Sequence, residues 1–296
     1  MNSKITLIIP VFNESQEIEN FFQNFKKCNF NLINEVIFIN DCSIDDSLDL
    51  IQKKINEFKQ LSFNINFLLI SNLKNRGYGF SIKKGVNNSS NDTIAIIDLD
   101  STYKIEDLND ICNKYINTYH LQYDLIIGER KIDSSNTSLL KIVGKTIINK
   151  ITNFCFNEKI LDYNSGLRIF DKKKFIKHAH MMSDRFSLTT SMTISFLNEN
   201  YDVKFHRIKY EKRLGQSKLG YINFFKFLYT IFSILFYYKP FKIILPIFIP
   251  LLIVFIYFLT KDIISNDITD KTVLLFNFNF ITIILLFLVD KINKLK

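Results

Sequence analysis

The stretch Thr93-Ile94-Ala95-Ile96-Ile97-Asp98-Leu99-Asp100-Ser101-Thr102 decides how the chain is read. Its apolar run up to Asp98 has the continuous hydrophobicity of a strand covered on both faces, as in a parallel sheet flanked by helices. Two carboxylates follow at the carboxyl end. Open α/β sheets bind ligands along that edge, and an Asp-X-Asp spacing puts both acids on one side of an extended backbone. Paired hard oxygen ligands suit Mg²⁺ or Mn²⁺ carrying a diphosphate. Taken alone the triplet is common and its default reading is two solvated turn aspartates, so the neighbouring segments carry the decision.

Upstream, Ile5 to Pro10 reads as a first strand, Val36 to Ile39 as a second and Asn66 to Ser71 as a third. Asn13 and Gln16 resemble a capping box opening a helix whose Ile18, Phe21, Phe22 and Phe25 share one face. Ile44, Leu48, Ile51, Ile55 and Phe58 mark the core stripe of a second helix. Between strand and helix, Asn40-Asp41-Cys42-Ser43-Ile44-Asp45 belongs on the same rim as Asp98 and Asp100, where an Asp can accept from a base N–H; Ser43 and Asp45 equally suit helix capping. All eight glycines fall between Gly77 and Gly220, so the Gly77-Tyr78-Gly79 turn has a backbone reason such as close approach of a ligand, with Arg76 suited to phosphate.

Downstream, Ile105 to Tyr119 reads as a helix, Asp124 to Ile127 as a strand that ends in Gly128-Glu129-Arg130, and Leu139 to Phe154 as a helix with Lys141 and Lys145 on a basic face. Phe241 to Thr260 and Val273 to Val289 are almost wholly apolar and read as two membrane helices. The net charge of +9 therefore fits an anionic substrate or membrane better than nucleic acid. Lysines 226, 239, 242, 291, 294 and 296 flank the apolar pair while residues 261–272 mix charges, which places both ends inside. Tyr221 to Tyr238 has a narrow polar stripe and reads as an interfacial helix before the first span. Asn277 and Asn279 are expected to face protein, with a homo-oligomer left open. The start of the chain lacks a basic n-region and apolar run, so a cytoplasmic catalytic domain is expected. Four scattered cysteines fit a reducing compartment.

Taken in order, Ile8 to Glu14, Asn40 to Asp46, Asn75 to Gly79, Asp98 to Asp100, Asp162 to Arg168 and Arg213 to Lys218 resemble the motifs of family 2 glycosyltransferases, and within them the polyprenyl-phosphate hexosyltransferases similar to dolichol-phosphate mannose synthase. The resemblance runs over about residues 4–219. It implies the GT-A fold, a mostly parallel sheet flanked by helices, in a catalytic domain of residues 1–220, followed by an amphipathic helix at 221–239 and a transmembrane hairpin at 240–296. It implies a nucleotide-diphospho-sugar donor bound by Pro10, Asn13, Glu14, Asp41, Arg76, Gly77, Asp98, Arg213 and Lys218, with Asp98 and Asp100 on Mg²⁺ or Mn²⁺. Arg130 and Lys141 lie where acceptor-phosphate contacts are expected, and Asp100, Asp162 and Arg130 are the catalytic candidates.

Two departures stand out: Asn40 replaces the first aspartate of the second motif, and Cys42 its glycine. The segment Arg185 to Thr190 also lacks the acidic pair found in members that act on sugar hydroxyls. A hydroxyl must lose a proton as it attacks, whereas a phosphomonoester with second pKa of about 6 is already ionised. The expectation is thus an inverting, membrane-bound enzyme moving a hexose to undecaprenyl or dolichyl phosphate at the cytoplasmic face. Transfer to a sugar hydroxyl of a glycolipid or polysaccharide is the alternative, and an inactive membrane scaffold of the same fold is the alternative outside enzymes.

Overall fold

A computed structural model describes residues 4–294 apart from positions 29, 62–63, 101, 120–121, 131–138, 157, 159, 163, 186 and 210–220, with the side chains of 139–145, 147, 221–227 and 293–294 also left aside. Seven strands form one sheet in the order β3-β2-β1-β4-β6-β5-β7. They are β1 (Ile5–Val11), β2 (Ile33–Asn40), β3 (Asn66–Ser71), β4 (Thr93–Ile96), β5 (Leu125–Arg130), β6 (Arg168–Asp171) and β7 (Val203–Ile208). Every pairing is parallel except those of β6, which runs antiparallel to both β4 and β5.

Helices cover both faces. On one, α1 (Ser15–Lys27), α2 (Ser47–Gln60) and α4 (Ile105–Lys114) bury their apolar stripes against Leu7, Ile9, Val36 and Phe38. Phe22 stacks on Phe38 at 5.4 Å and meets Phe58 edge-on at 5.1 Å, so three elements share one aromatic cluster. On the other face, α3 (Tyr78–Asn88), α6 (Lys172–His178) and α7 (Leu188–Asn198) enclose Ile8, Ile37, Ile39, Ile96 and Phe170. Side chains alternate between the two faces along each strand, which is why central strands read as unbroken apolar runs.

Several expectations change in detail. The strand at Thr93 ends at Ile96, so Asp98 and Asp100 lie in the loop beyond it. The expected helix from Ile105 to Tyr119 is α4 followed by a π-helical turn over Tyr115–Tyr119. The Asn13–Gln16 capping box is absent: the N-cap position is Glu14, with no side-chain bond closing the helix. The first amides go elsewhere, Glu14 N to Ser47 Oγ at 2.9 Å and Ser15 N to Asp45 Oδ2 at 3.1 Å. Ile44 and Leu48 leave the predicted core stripe, being 88% and 38% exposed: α2 starts only at Ser47, which leaves Ile44 in the preceding loop, and Leu48 falls on the outer side of the first turn, away from Ser47, Ile51, Ile55 and Phe58.

The chain divides into two compact units, residues 1–142 with 160–230, and residues 143–159 with 231–296. The second holds the distal part of α5 (Leu139–Phe156), the carboxyl-terminal part of α8 (Tyr221–Tyr238), and the paired helices α9 (Pro240–Ser265) and α10 (Asp270–Lys294). Helix α9 and residues 270–292 are long and apolar enough to cross a membrane, with mean hydropathies of 2.8 and 2.4. Helix α9 continues through Pro246 and Pro250, which spans tolerate when neighbouring groups satisfy the freed backbone. Its turn into α10 is closed by Asn266 in the left-handed region and by Asp262 Oδ2, which accepts from Thr269 N at 2.8 Å and Thr272 Oγ1 at 2.7 Å. Asn279 is buried as expected, whereas Asn277 is exposed on this single chain.

Candidate active site

The carboxyl rim gathers the segments that follow β1, β2, β3, β4 and β5 and the one that enters β6. At the end of β2, Asp41 is buried and its carboxylate accepts three bonds: Asn72 Nδ2 and Arg76 N at 2.8 Å on Oδ1, and Gly77 N at 2.7 Å on Oδ2. It therefore staples the β3–α3 loop to β2. Gly77 sits at φ 100°, and a Cβ on Gly79 would stand 2.1 Å from Ser183 O. The close approach anticipated at this Gly-X-Gly turn is made by the chain's own 183–185 backbone, with Phe80 N donating to Asp184 O at 2.9 Å. Arg76 is exposed and its guanidinium lies 4.5 Å over the Phe80 ring.

Pro10 lies within β1, opposite Ile39. Asn13 adopts φ 54° and locks the β1–α1 turn to the β2–α2 loop: its N donates to Ser43 Oγ at 3.1 Å and its Oδ1 accepts from Ile44 N at 2.9 Å. Cys42 stands at φ 61°, which explains physically why the resembling motif has glycine there.

Beyond β4, Asp100 Oδ1 accepts from Thr102 Oγ1 at 2.6 Å and from Thr102 N at 3.3 Å, fixing the rotamer of the acid. Asp98 packs against Gly166 so closely that a Cβ on Gly166 would fall 2.1 Å from Oδ2. Tyr103 OH receives Gly166 N at 2.6 Å, and burial pushes this phenol's pKa up. Among the described residues no three His, Cys, Asp or Glu side chains converge as a ready cation site. Two hard carboxylates, one of them pre-oriented, still fit Mg²⁺ or Mn²⁺, which characteristically take one or two carboxylates and complete their shell with phosphate oxygens and water. A cavity of about 220 Å³ beside Asp98, lined by Asn20, Asn24, Tyr103 and Lys104, is smaller than the ~300–1,000 Å³ of typical ligand pockets.

Residues 162–168 form the third component, entering β6 at this same rim because the strand is reversed. Arg130, the last residue of β5, grips Asp162 with Nε on Oδ2 at 2.7 Å and Nη2 on Oδ1 at 2.8 Å, while its own N and that of Asn164 add bonds at 3.2 and 3.1 Å. Burial raises the Asp162 pKa, but the Arg130 bonds outweigh it and hold the carboxyl below its ordinary range. Behind this pair, Asn164 Oδ1 accepts from Thr190 Oγ1 at 2.7 Å. Arg168 is fully buried; it donates from Nε to Ser165 O and from Nη1 to Thr193 Oγ1, both at 2.8 Å. Burial lowers its pKa to about 10, so it stays charged at neutral pH.

The structure thus brings Asp98, Asp100, Arg130 and Asp162 into loops of adjacent strands and makes Asp41 a staple of the next loop. Arg213 and Lys218 lie outside the described residues, and Lys141 is described only as backbone within α5. Thr102, Tyr103, Asn164, Thr190 and Thr193 were given no role from sequence; Tyr103, Thr190 and Thr193 act on partners 25 to 63 residues away, while Thr102 and Asn164 each lie two residues from the acid they bond, a local signal.

The sequence profile of "Glycosyl transferase family 2" matches residues 6–179. CsbB of Bacillus subtilis is 26% identical over 188 residues, 58% of this chain but only 53% of its own length, so the chain spans about half of that relative. The undecaprenyl-phosphate 4-deoxy-4-formamido-L-arabinose transferase of Proteus mirabilis is 21% identical over 235 residues, covering 79% of this chain and 68% of its own. Over a shorter stretch of 97 residues, 33% of this chain and 22% of the relative, it is 29% identical to a poly-beta-1,6-N-acetyl-D-glucosamine synthase of Staphylococcus aureus. Among solved structures, glucosyl-3-phosphoglycerate synthase from Mycobacterium tuberculosis in complex with Mn²⁺, UDP and glucosyl-3-phosphoglycerate superposes with a TM-score of 0.61 at 12% identity, over 78% of this chain and 80% of that one, a likeness of fold. The seven-stranded mixed sheet is accordingly a GT-A fold, and with the profile spanning more than half its residues, the chain belongs to glycosyl transferase family 2.

Proposed function

We propose that this chain is a membrane-bound, metal-dependent inverting glycosyltransferase that moves a hexose from a nucleotide-diphospho-sugar to a polyprenyl phosphate at the cytoplasmic face. The observation that carries the acceptor assignment is the state of Asp162. Both its oxygens are engaged by Arg130 and Asn164, and its proton affinity is depressed. A general base works best with a pKa near the operating pH and an oxygen within reach of the proton it takes. Asp162 fails the first condition, its proton affinity being lowered by Arg130, which suits an acceptor that arrives already ionised. Two apolar helices and the relatives named for transfer to undecaprenyl phosphate support the same choice.

In this reading Asp98 and Asp100 hold Mg²⁺ or Mn²⁺, which supplies charge neutralisation to the diphosphate leaving group. Asp41 fixes the 76–77 turn that borders the nucleoside, with Pro10, Asn13 and Glu14 on its other side. Arg130 presents a cation to the acceptor phosphate while orienting Asp162, and Lys141, Arg213 and Lys218 add positive charge toward the phosphates. The test is incubation of the detergent-purified chain with radiolabelled nucleotide sugars and undecaprenyl phosphate. A mild-acid-labile lipid-phosphate-sugar is expected. Label found only on an acid-stable glycan would replace this reading by transfer to a sugar hydroxyl, the acceptor class suggested by the Staphylococcus aureus relative.

A further inference from the structure

Within the second unit, the carboxyl end of α5 is closed by a residue from the start of α9. Lys242 Nζ donates to Cys155 O at 2.9 Å and to Phe154 O at 3.2 Å, two of the carbonyls a helix end leaves without intrahelical partners. Lys239 Nζ lies 5.7 Å over the Phe156 ring and Lys242 Nζ 6.0 Å from the Phe154 centroid. Distal α5 is two-sided: Ile148, Thr152 and Cys155 are buried, while Thr146, Lys150, Asn153 and Phe154 form an exposed stripe, with Phe154 55% exposed. Phe241 meets Phe287 at 6.0 Å, so the start of α9 and the end of α10 share one end of the hairpin, which also carries Asp290 and exposed Lys291.

We propose that the carboxyl end of α5 is a third membrane contact, in which Phe154 and Lys150 enter the headgroup layer of an anionic bilayer at a depth set by Lys239 and Lys242. The inference rests on the membrane-bound reading above. Helices α9 and α10 put this end of the hairpin at the hydrocarbon boundary, and α5 is tied to it by direct bonds. An unneutralised helix carboxyl terminus carries about half a negative charge and would repel anionic headgroups; Lys242 cancels that field, and Lys239 and Lys150 leave the surface positive. An exposed phenylalanine flanked by lysines matches the chemistry of that layer, where rings pack at the acyl boundary and ammonium groups reach phosphate.

The chain contains no tryptophan, so one introduced residue reports alone. Phe154→Trp is reconstituted in vesicles of phosphatidylcholine with or without phosphatidylglycerol, using lipids brominated near the headgroup or deep in the acyl chain; Ile256→Trp in α9 and Leu61→Trp at the end of α2 serve as references. The expected result is strong quenching of Phe154→Trp by shallow bromines, increased by phosphatidylglycerol, and loss of that increase when Lys239→Gln and Lys242→Gln are added. Deep bromines should quench Ile256→Trp, and neither lipid should quench Leu61→Trp. Emission from Phe154→Trp as exposed as that of Leu61→Trp, with Ile256→Trp still quenched, overturns the proposal and spares the membrane reading. Failure to quench Ile256→Trp removes both. Equal shallow quenching with and without phosphatidylglycerol overturns the assignment to anionic headgroups.

Discussion

Gly166 leaves no room for a side chain over Asp98: a Cβ at that position would stand 2.1 Å from Oδ2 and 2.5 Å from Cγ. The carboxylate proposed to hold the metal is therefore positioned by backbone contact with the loop that carries Asp162. Gly166→Ala is expected to displace Asp98 or the loop, costing ~1–3 kcal/mol of stability by overpacking. Turnover should fall more steeply than the melting temperature indicates, since a misplacement of about 1 Å can cost ~100-fold. Wild-type kcat in the variant would show that the contact is irrelevant to the reaction.

Asp100 has two separable roles, an acceptor for Thr102 and a negative charge. Asp100→Asn keeps an oxygen for Thr102 while removing the charge. The melting temperature should stay within a degree or so, and turnover should drop by at least about a hundredfold, equivalent to ~3 kcal/mol. EDTA should reproduce the loss in the unaltered chain, reversibly on adding Mn²⁺. Activity that survives both treatments excludes the metal.

Arg130→Ala strands Asp162 in a site where its side chain is 4% exposed. Breaking such a pair costs ~3 kcal/mol, so the variant should melt several degrees lower and lose turnover with polyprenyl phosphate, while UDP or GDP binding stays nearly intact. The pH dependence has a definite sign. In the unaltered chain the Asp162 pKa is depressed, so its contribution is present above the unfolded value of ~3.9 and disappears only as pH falls through the lower folded value. Without the Arg130 guanidinium, burial acts against only the two backbone amides of residues 130 and 164, and the carboxyl takes up its proton at higher pH. The gap in melting temperature between the two proteins should narrow on moving from neutral pH toward pH ~5. A constant gap would mean that Asp162 stays charged without its partner.

Cys42 holds a left-handed conformation at φ 61° with only a weak contact from Sγ to Leu73 O at 3.9 Å. That conformation costs an L-residue ~1–2 kcal/mol, while glycine costs about 0.5–1 kcal/mol in unfolded-state entropy. Cys42→Gly should raise stability by about 0.5–1 kcal/mol, read as a small rise in melting temperature. A fall would show that the thiol contributes more than its one distant acceptor suggests.

The parts of the fold that could be read from the chain are those whose signal is local. The Phe21, Phe22 and Phe25 stripe and the apolar runs of β1, β2 and β4 are visible because burial on one or both faces writes a period into consecutive residues. Strand β6 has four residues, too few for a period, and the polar Lys204, His206 and Arg207 obscured β7 at the sheet edge. Ile44 continues the helical spacing by chance from a loop that ends at Ser47, and Leu48, though helical, is on the exposed side of the first turn. In the site, Asp98, Asp100 and Arg130 were picked out by residue type and position, and Asp162 was picked out by the resemblance of the motif it opens. The role of Asp41 was not, because its donors lie 31 to 36 residues further on and two of them are backbone amides that carry no side-chain signature.

Strand β6, reversed between β4 and β5, makes the sheet a gauge. The chain leaves the sheet toward Asp98 on one side and Arg130 on the other, two strand spacings apart, roughly 9–10 Å, and enters between them through residues 162–167. That width is written in ladder hydrogen bonds, which no rotamer change can stretch. Residues 162–167 fill it, with Gly166 against Asp98 and Asp162 against Arg130. Drift in the surrounding loops can therefore reshape the rim while the separation of these two acidic sites stays fixed by the sheet.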